Sequence, residues 1–294
     1  MNEIITLLLN EIAIPSSCAL IGSIITAVFL RKNTSSEEFE KIKAGKHKEA
    51  IDILVENNIM TYSELYKINN FSKIAEKADA YIKNKNQNKN ITFDWIMRFY
   101  DAVGNVSDED LHDVWAKLLA GELDNPGGYS YKTIEALKNM NKNDAIKFKQ
   151  ICDSSIKDSH QVFLPNYDEY LKKRNINYVD IMSLNESGLM FNDGTISLNH
   201  TVTKDTTALF VTDNYVITTS SELQPSKIYV KEYPFTKAGE EIFGLLEGTS
   251  HIDNIIDFAN EILRKNKNLV VEVHKLIKIE NDFINFEQKN LLED

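Results

Sequence analysis

The side chains that could do chemistry in this chain are few and scattered. His47, His112, His160, His200, His251 and His274 are dispersed, and none has a His or Cys partner at metal-ligand spacing. Cys18 and Cys152 are the two cysteines, too far apart in sequence to form a metal motif and too few for a disulfide framework. The densest acidic group is Asp108, Glu109, Asp110 and Asp113, with His112 between them. Such a group could hold a divalent cation and hydrolyse a phosphodiester, but no second acidic or His motif completes a ligand shell. A helical start explains it better: Ser107 reads as an N-cap with Asp110 as its capping-box partner, and acids in a first turn complement the helix dipole. The remaining candidate is Asn125-Pro126-Gly127-Gly128, a possible phosphate cradle. It lacks the Gly-Lys-Ser/Thr of a nucleotide loop and follows no strand. Proline and glycine in that order instead predict a tight turn. No catalytic, cofactor or metal residue is assigned.

The elements around these residues are helical. In "TFDWIMRFYDAV" Trp95, Ile96, Phe99, Tyr100 and Val103 mark one face, and Leu111, Val114, Trp115, Leu118 and Leu119 mark another. Ser130 caps a following helix that carries Ile134, Leu137 and Met140, and Asn143 is expected to cap the next, with Ala145, Ile146, Phe148 and Ile151. Pro126 therefore reads as the corner of an αα-hairpin. The run "WAKLLAGELDNPGGYSYKTIEAL", Trp115 to Leu137, also resembles an uncharacterised bacterial family. That family shares the form W-(A/G)-x-(I/L)-L-A-G-E-(I/L)-x-x-P-G-x-(F/Y)-S-x-(K/R)-T-(I/L)-E-x-L, and Trp115, Gly121, Glu122, Pro126, Gly127 and Ser130 are its motif positions here. The resemblance is specific over residues 92–150 and extends to the abortive-infection alpha proteins of anti-phage loci. It implies a defence or stress setting and supplies no catalytic residues.

The N-terminus holds the second unusual stretch. From Ala13 to Leu30 there is no charge, and Arg31 and Lys32 close the run. This is at the short end of the roughly 17 to 25 residues that span a bilayer. Small residues recur four apart, at Cys18, Gly22 and Thr26 and again at Ala19, Ser23 and Ala27, a pattern that lets helices pack closely in lipid. If the run spans, Cys18, Gly22, Ser23, Thr26 and Ala27 make helix contacts and Arg31 and Lys32 meet lipid headgroups. The one-sided basic flank would then leave the C-terminal bulk in the cytoplasm, with the anchor in the inner membrane. The other reading is a buried helical hairpin turning at Pro15 in a cytoplasmic protein.

Beyond residue 155 the pattern changes. A helix from Tyr178 to Leu184 leads to "ESGLM". Strand patterns follow at "ALFVTDNYVITTS" and "KIYVKEYPF", with a hairpin turn at Asp213-Asn214. A helix capped by Thr236, another at "IDNIIDFANEIL" and a strand at "LVVEVHKLIKI" complete the chain. This order resembles winged-helix domains. The expected fold is mostly α with a smaller α+β part, in four sections. These are a hydrophobic helix over 1–32, an amphipathic region and linker over 33–90, a helical core domain over 91–155, and a winged-helix-like domain over 156–294.

Charge narrows the partners. The 294-residue chain carries a net −11, and residues 151–250 hold 14 acidic and 8 basic residues, hence −6. Duplex DNA reading needs clustered cations, so the charge argues against nucleic acid as the ligand, and Lys172, Lys173 and Arg174 form the only basic cluster of this region. Two functions remain. One is a non-enzymatic, membrane-associated anti-phage component acting through its N-terminal helix, self-associating, in contact with membrane lipid and triggered by a phage or defence-system protein. The other is a soluble adaptor or regulator that holds a partner protein through its C-terminal domain.

Overall fold

A computed structural model of the chain describes residues 61–83, 91–106, 108–221, 225–246, 250–266, 268–280 and 283–292. They divide into two compact units after Asn139. The helix that follows Asn139 thus goes with the C-terminal unit, although the sequence places it in a helical domain running to residue 155. The expected hydrophobic helix over 1–32, the region 33–60, most of the linker and the expected cap Ser107 lie outside the described residues. Among those residues no helix is long and apolar enough to cross a membrane.

The first unit consists of α1 (Tyr62–Ala78), α2 (Phe93–Val103), α3 (Glu109–Asp124) and α4 (Tyr131–Asn139). The starts of α1 and α2 are chemically marked. Thr61 and Glu64 form a reciprocal capping box on α1, and Thr92 accepts the Trp95 N–H at the start of α2. The face read from the sequence, Trp95, Ile96, Phe99, Tyr100 and Val103, is the buried face of α2. It meets α1 and α3 through aromatic contacts: Phe71 and Trp115 lie edge-on to Phe99, at 6.3 and 5.5 Å, and Trp95 stacks on it at 5.2 Å.

The second unit opens with α5 (Lys142–Asp153), then alternates strands and helices: β1 (Ile156–Lys157), β2 (Val162–Pro165), α6 (Asp168–Lys173), α7 (Tyr178–Glu186), β3 (Ser197–Val202), β4 (Ala208–Val211), β5 (Tyr215–Ser220), β6 (Ser226–Pro234), α8 (Lys237–Phe243), α9 (Ile252–Lys265), β7 (Val270–Glu280) and β8 (Phe283–Phe286). Asn141, with Asp144 three residues on, caps α5 in place of the expected Asn143. Thr236 caps α8 as expected.

These strands overturn the winged-helix expectation. A wing is a short hairpin beside a helical bundle, whereas here all eight strands join in one antiparallel sheet of order β3-β6-β2-β1-β4-β5-β7-β8, curled into a half-barrel. The chain is accordingly not mostly α with a small wing. The nine-residue β6 explains the difference. It pairs with β3 over Ser226–Lys231 and with β2 over Glu232–Pro234, so what reads as one wing strand joins two neighbours. The expected turn at Asp213-Asn214 does join β4 to β5. Helix α9 lays Ile255, Phe258, Ala259 and Ile262 into the core, and the Phe258 ring meets Phe163 at 6.0 Å and Phe210 at 5.4 Å.

Candidate functional site

The motif residues of the first unit come together at one corner. Asn125 C=O accepts the Gly128 N–H at 2.9 Å, and Gly127 has φ +81, the turn that Pro126-Gly127 predicts. What holds the corner to the helix is Glu122. Its side chain is buried, and its two oxygens accept the backbone N–H groups of Gly127 (2.7 Å) and Tyr129 (3.0 Å). The Tyr129 carbonyl in turn accepts from Trp95 Nε1 at 3.0 Å. A Cβ at Gly121 would come within 2.6 Å of the Tyr129 ring, so the glycine lets that ring lie against α3. Ser130 sits at the start of α4, its hydroxyl 3.1 Å from that of Thr133. Trp115 is fully buried in the aromatic core behind the corner. A shallow cavity of about 430 Å³ beside it is lined by Trp95, Pro126, Tyr129 and Tyr131. The motif therefore spells a buttressed corner, and its carboxylate is engaged with backbone donors.

Two members of the acidic group, Asp113 and His112, have structural partners. Tyr81 donates to Asp113 at 2.5 Å, Lys117 lies 3.6 Å from the same side chain, and the buried His112 places Nε2 3.1 Å from the Val106 carbonyl oxygen. Among the described residues no group of three or more His, Cys, Asp or Glu is arranged to hold a metal.

In the second unit Arg174 of the basic cluster is turned inward, while Lys172 and Lys173 are exposed. Arg174 donates from Nε to Asn254 Oδ1 (2.8 Å), from NH1 to the Tyr170 carbonyl (2.8 Å) and from NH2 to Asp257 Oδ2 (3.1 Å), and its guanidinium lies 3.5 Å above the Tyr170 ring. Lys173 pairs with Asp257 at 2.6 Å. These contacts tie α6 to α9. Arg174→Ala is therefore expected to destabilise the chain by about 2 kcal/mol, since it removes charge-assisted bonds and a stacked cation together. Lys172→Ala should change stability by less than about 0.5 kcal/mol, as exposed substitutions do. Thermal unfolding followed by circular dichroism checks both; equal, negligible losses would return Arg174 to the role of a free contact residue.

Two features of the second unit carry little signal in the sequence. One is a buried polar cluster on the sheet. Asp158, in the turn after β1, accepts the backbone N–H groups of His160 (2.7 Å) and Gln161 (2.8 Å) through Oδ1. Its Oδ2 lies 3.4 Å from His200 Nε2 on β3. Gln161 Nε2 also donates to Glu232 Oε1 on β6 at 2.6 Å. Burial pushes the Asp158 carboxyl up, but the His200 contact and the two backbone donors outweigh it and hold it below its ordinary range. Glu232 has weaker support. Its burial, offset in part by Gln161 and reinforced by the Asp158 charge, pushes it up to about 7. A lone acid in an apolar strand pattern was the available signal.

The other feature is the end of the sheet. β7 pairs with β5 only as far as Lys275, and beyond that it runs on as a two-stranded ribbon with β8. The base is anchored: His274 is buried against the Phe286 ring at 4.7 Å, and Asn290 Oδ1 accepts the Val273 N–H. Further out, Ile277 (61%), Ile279 (52%) and Phe283 (75%) are exposed. Ile277 stands at the register shift between the two strands, a bulge in the ladder. β8 ends the strand order, so its outer edge has no neighbouring strand among the described residues.

The described molecule is thus a two-unit α and α+β protein, with a carboxylate-buttressed helical corner in one unit and an antiparallel sheet ending in an apolar ribbon in the other. The chain belongs to the family described as protein of unknown function (DUF2806), whose model matches residues 57–255. The match takes in the corner and most of the sheet, and ends before the ribbon. No curated protein and no solved structure matches the chain. The membrane-contact residues expected from the sequence, Cys18, Gly22, Ser23, Thr26, Ala27, Arg31 and Lys32, lie outside the described residues.

Proposed function

We propose that this protein is a non-catalytic adaptor or regulator that binds a partner protein through the β7–β8 ribbon of its C-terminal unit. The observation that carries this reading is the exposure of Ile277, Ile279 and Phe283 on an edge ribbon with an anchored base. An exposed apolar edge strand is a template for another strand, and proteins that do not use one blunt it with charge or cover it. A partner strand added along β8 would gain main-chain hydrogen bonds, with the neighbouring apolar side chains giving specificity. Protein is favoured over DNA because the ribbon brings no basic cluster and the chain is net acidic. We take the resemblance to abortive-infection alpha proteins to mean that the partner belongs to an anti-phage response.

Replacing Ile277 and Phe283 with serine and Ile279 with threonine tests this directly. The expected result is loss of the high-mass species that contain this chain in cross-linked native extract, with the melting transition nearly unchanged. Complexes that persist in the triple variant would refute the ribbon as the contact.

A further inference from the structure

We propose that Asp158, His200 and Glu232 form a buried proton-binding site whose occupancy sets how firmly β3 is held across the curl of the sheet. The geometry begins with unmet hydrogen-bonding demand. Asp158 and Glu232 are 4% and 1% exposed, yet Glu232 Oε2 lacks a hydrogen-bond partner among the described residues, and Asp158 Oδ2 and His200 Nε2 have only each other, at 3.4 Å. The other carboxyl oxygens are satisfied, by the His160 and Gln161 backbone and by the Gln161 amide. With both acids ionised the cluster would hold two bare acceptors and at most one imidazole donor. A proton on Glu232 turns one acceptor into a donor and removes one buried negative charge.

The cluster lies where the sheet is thinnest. β1 is two residues long and meets β4 through the single pair Lys157↔Val211, so it is the seam between the β3-β6-β2 half and the β4-β5-β7-β8 half. Asp158 follows that seam directly. His200 comes from β3, three strands away in sheet order, and reaches Asp158 only because the sheet curls; its ring also meets Phe210 of β4 edge-on at 5.3 Å. Glu232 stands where β6 changes partner from β3 to β2. The three side chains therefore span the curl.

Other titratable groups face the cluster. Tyr167, whose buried hydroxyl also lacks a partner, is pushed up to about 12 by burial. Glu261 and Arg264 of α9, which act on Tyr167, pair with each other at 2.6 Å, and Glu240 of α8 accepts the Val162 N–H at 3.1 Å. His160 contributes its backbone N–H to Asp158. Glu232 carries the response. The folded chain holds a proton that an ordinary glutamate releases above 4.5, so this contribution to stability is complete below 4.5 and is lost as pH rises through about 7. Asp158 acts with the opposite sign: its contribution is present above 3.8 and lost as pH falls through its lowered folded value.

The experiment compares wild type with Glu232→Gln, which mimics the protonated acid, by hydrogen exchange of the full chain at pH 6 and pH 8.5, corrected for intrinsic rates. In wild type, protection of Ser197–Val202 and of the Ile156–Pro165 turn should fall at least tenfold between the two, while the β5–β7 pairing keeps its protection. In Glu232→Gln the fall should be absent. A uniform loss across the sheet, a loss that persists in the variant, or no loss in wild type would each overturn the proposal. A carbon-13 titration of the glutamate carboxyls in wild type needs no variant: one should titrate near 7, and none titrating above 6 would also overturn it.

Discussion

Glu122→Ala will cost the helical unit about 2 to 3 kcal/mol, the destabilisation expected when a buried acceptor of two backbone hydrogen bonds is removed and a cavity left. The Glu122 oxygens hold Gly127 and Tyr129, and Tyr129 in turn receives the Trp95 indole, so the loss passes from α3 through the corner to α2. Gly127 is exposed and its freed N–H can turn to water, which keeps the figure below that for two buried orphans. Glu122→Gln should fall between wild type and alanine, because one amide oxygen can serve only one of the two donors well. The chain's two tryptophans, Trp95 and Trp115, both lie in this unit, so urea unfolding followed by tryptophan fluorescence reads it selectively. Unchanged midpoints in both variants would mean that the corner is not held by this carboxylate.

Gly239→Ala should cost still more, about 3 kcal/mol or above, because overpacking against backbone has no cheap relief. A Cβ at position 239 would lie 2.0 Å from the Leu189 carbonyl oxygen. That carbonyl accepts the Thr236 N–H at 3.0 Å, and the Thr236 hydroxyl donates to the Gly188 carbonyl at 2.6 Å. The start of α8 is thus docked on the 188–190 backbone by bonds that a methyl group would pry apart. Circular dichroism of thermal unfolding reads the effect, and a loss below about 0.5 kcal/mol, the range of neutral surface changes, would contradict it.

This contact also shows how far the sequence could be read. "ESGLM" and "FTKAGEEI" both stand out as strings, and the Thr236 cap follows from local chemistry. That the two strings touch is a long-range fact with no local signal. The corner was legible for a related reason: Pro126-Gly127 encodes its own dihedral angles, and the turn they predict is the one found. The role of Glu122 was not, because a buried carboxylate reaching backbone five and seven residues on looks like an ordinary helical glutamate. The segments of β4, β5, β6 and β7 carry legible strand patterns, whereas β1, β2 and β8 do not appear in that reading. "VFLP", buried at all four positions, does not alternate, and the two-residue β1 is too short for any period to show. Without those two, the remaining strands look like a wing. Lys172, Lys173 and Arg174 read as a contact surface because sequence shows charge, whereas Asp257 and Asn254, which engage Arg174, lie some eighty residues further on.

In the sequence the ribbon shows only as the strand pattern "LVVEVHKLIKI", with nothing to say that its far half leaves the sheet. It is the feature on which the proposed function rests, and one measurement bears on it most directly. A photo-activated cross-linking amino acid would be placed at Ile279 or Phe283 of the full chain in living cells, with Lys204, exposed in the β3–β4 loop of the same unit, as the control position. The expected result is a discrete protein adduct, to a second copy or to another protein, at both ribbon positions and not at 204. Adducts to lipid, or adducts no stronger at the ribbon than at Lys204, would contradict the proposal that the ribbon binds a partner protein.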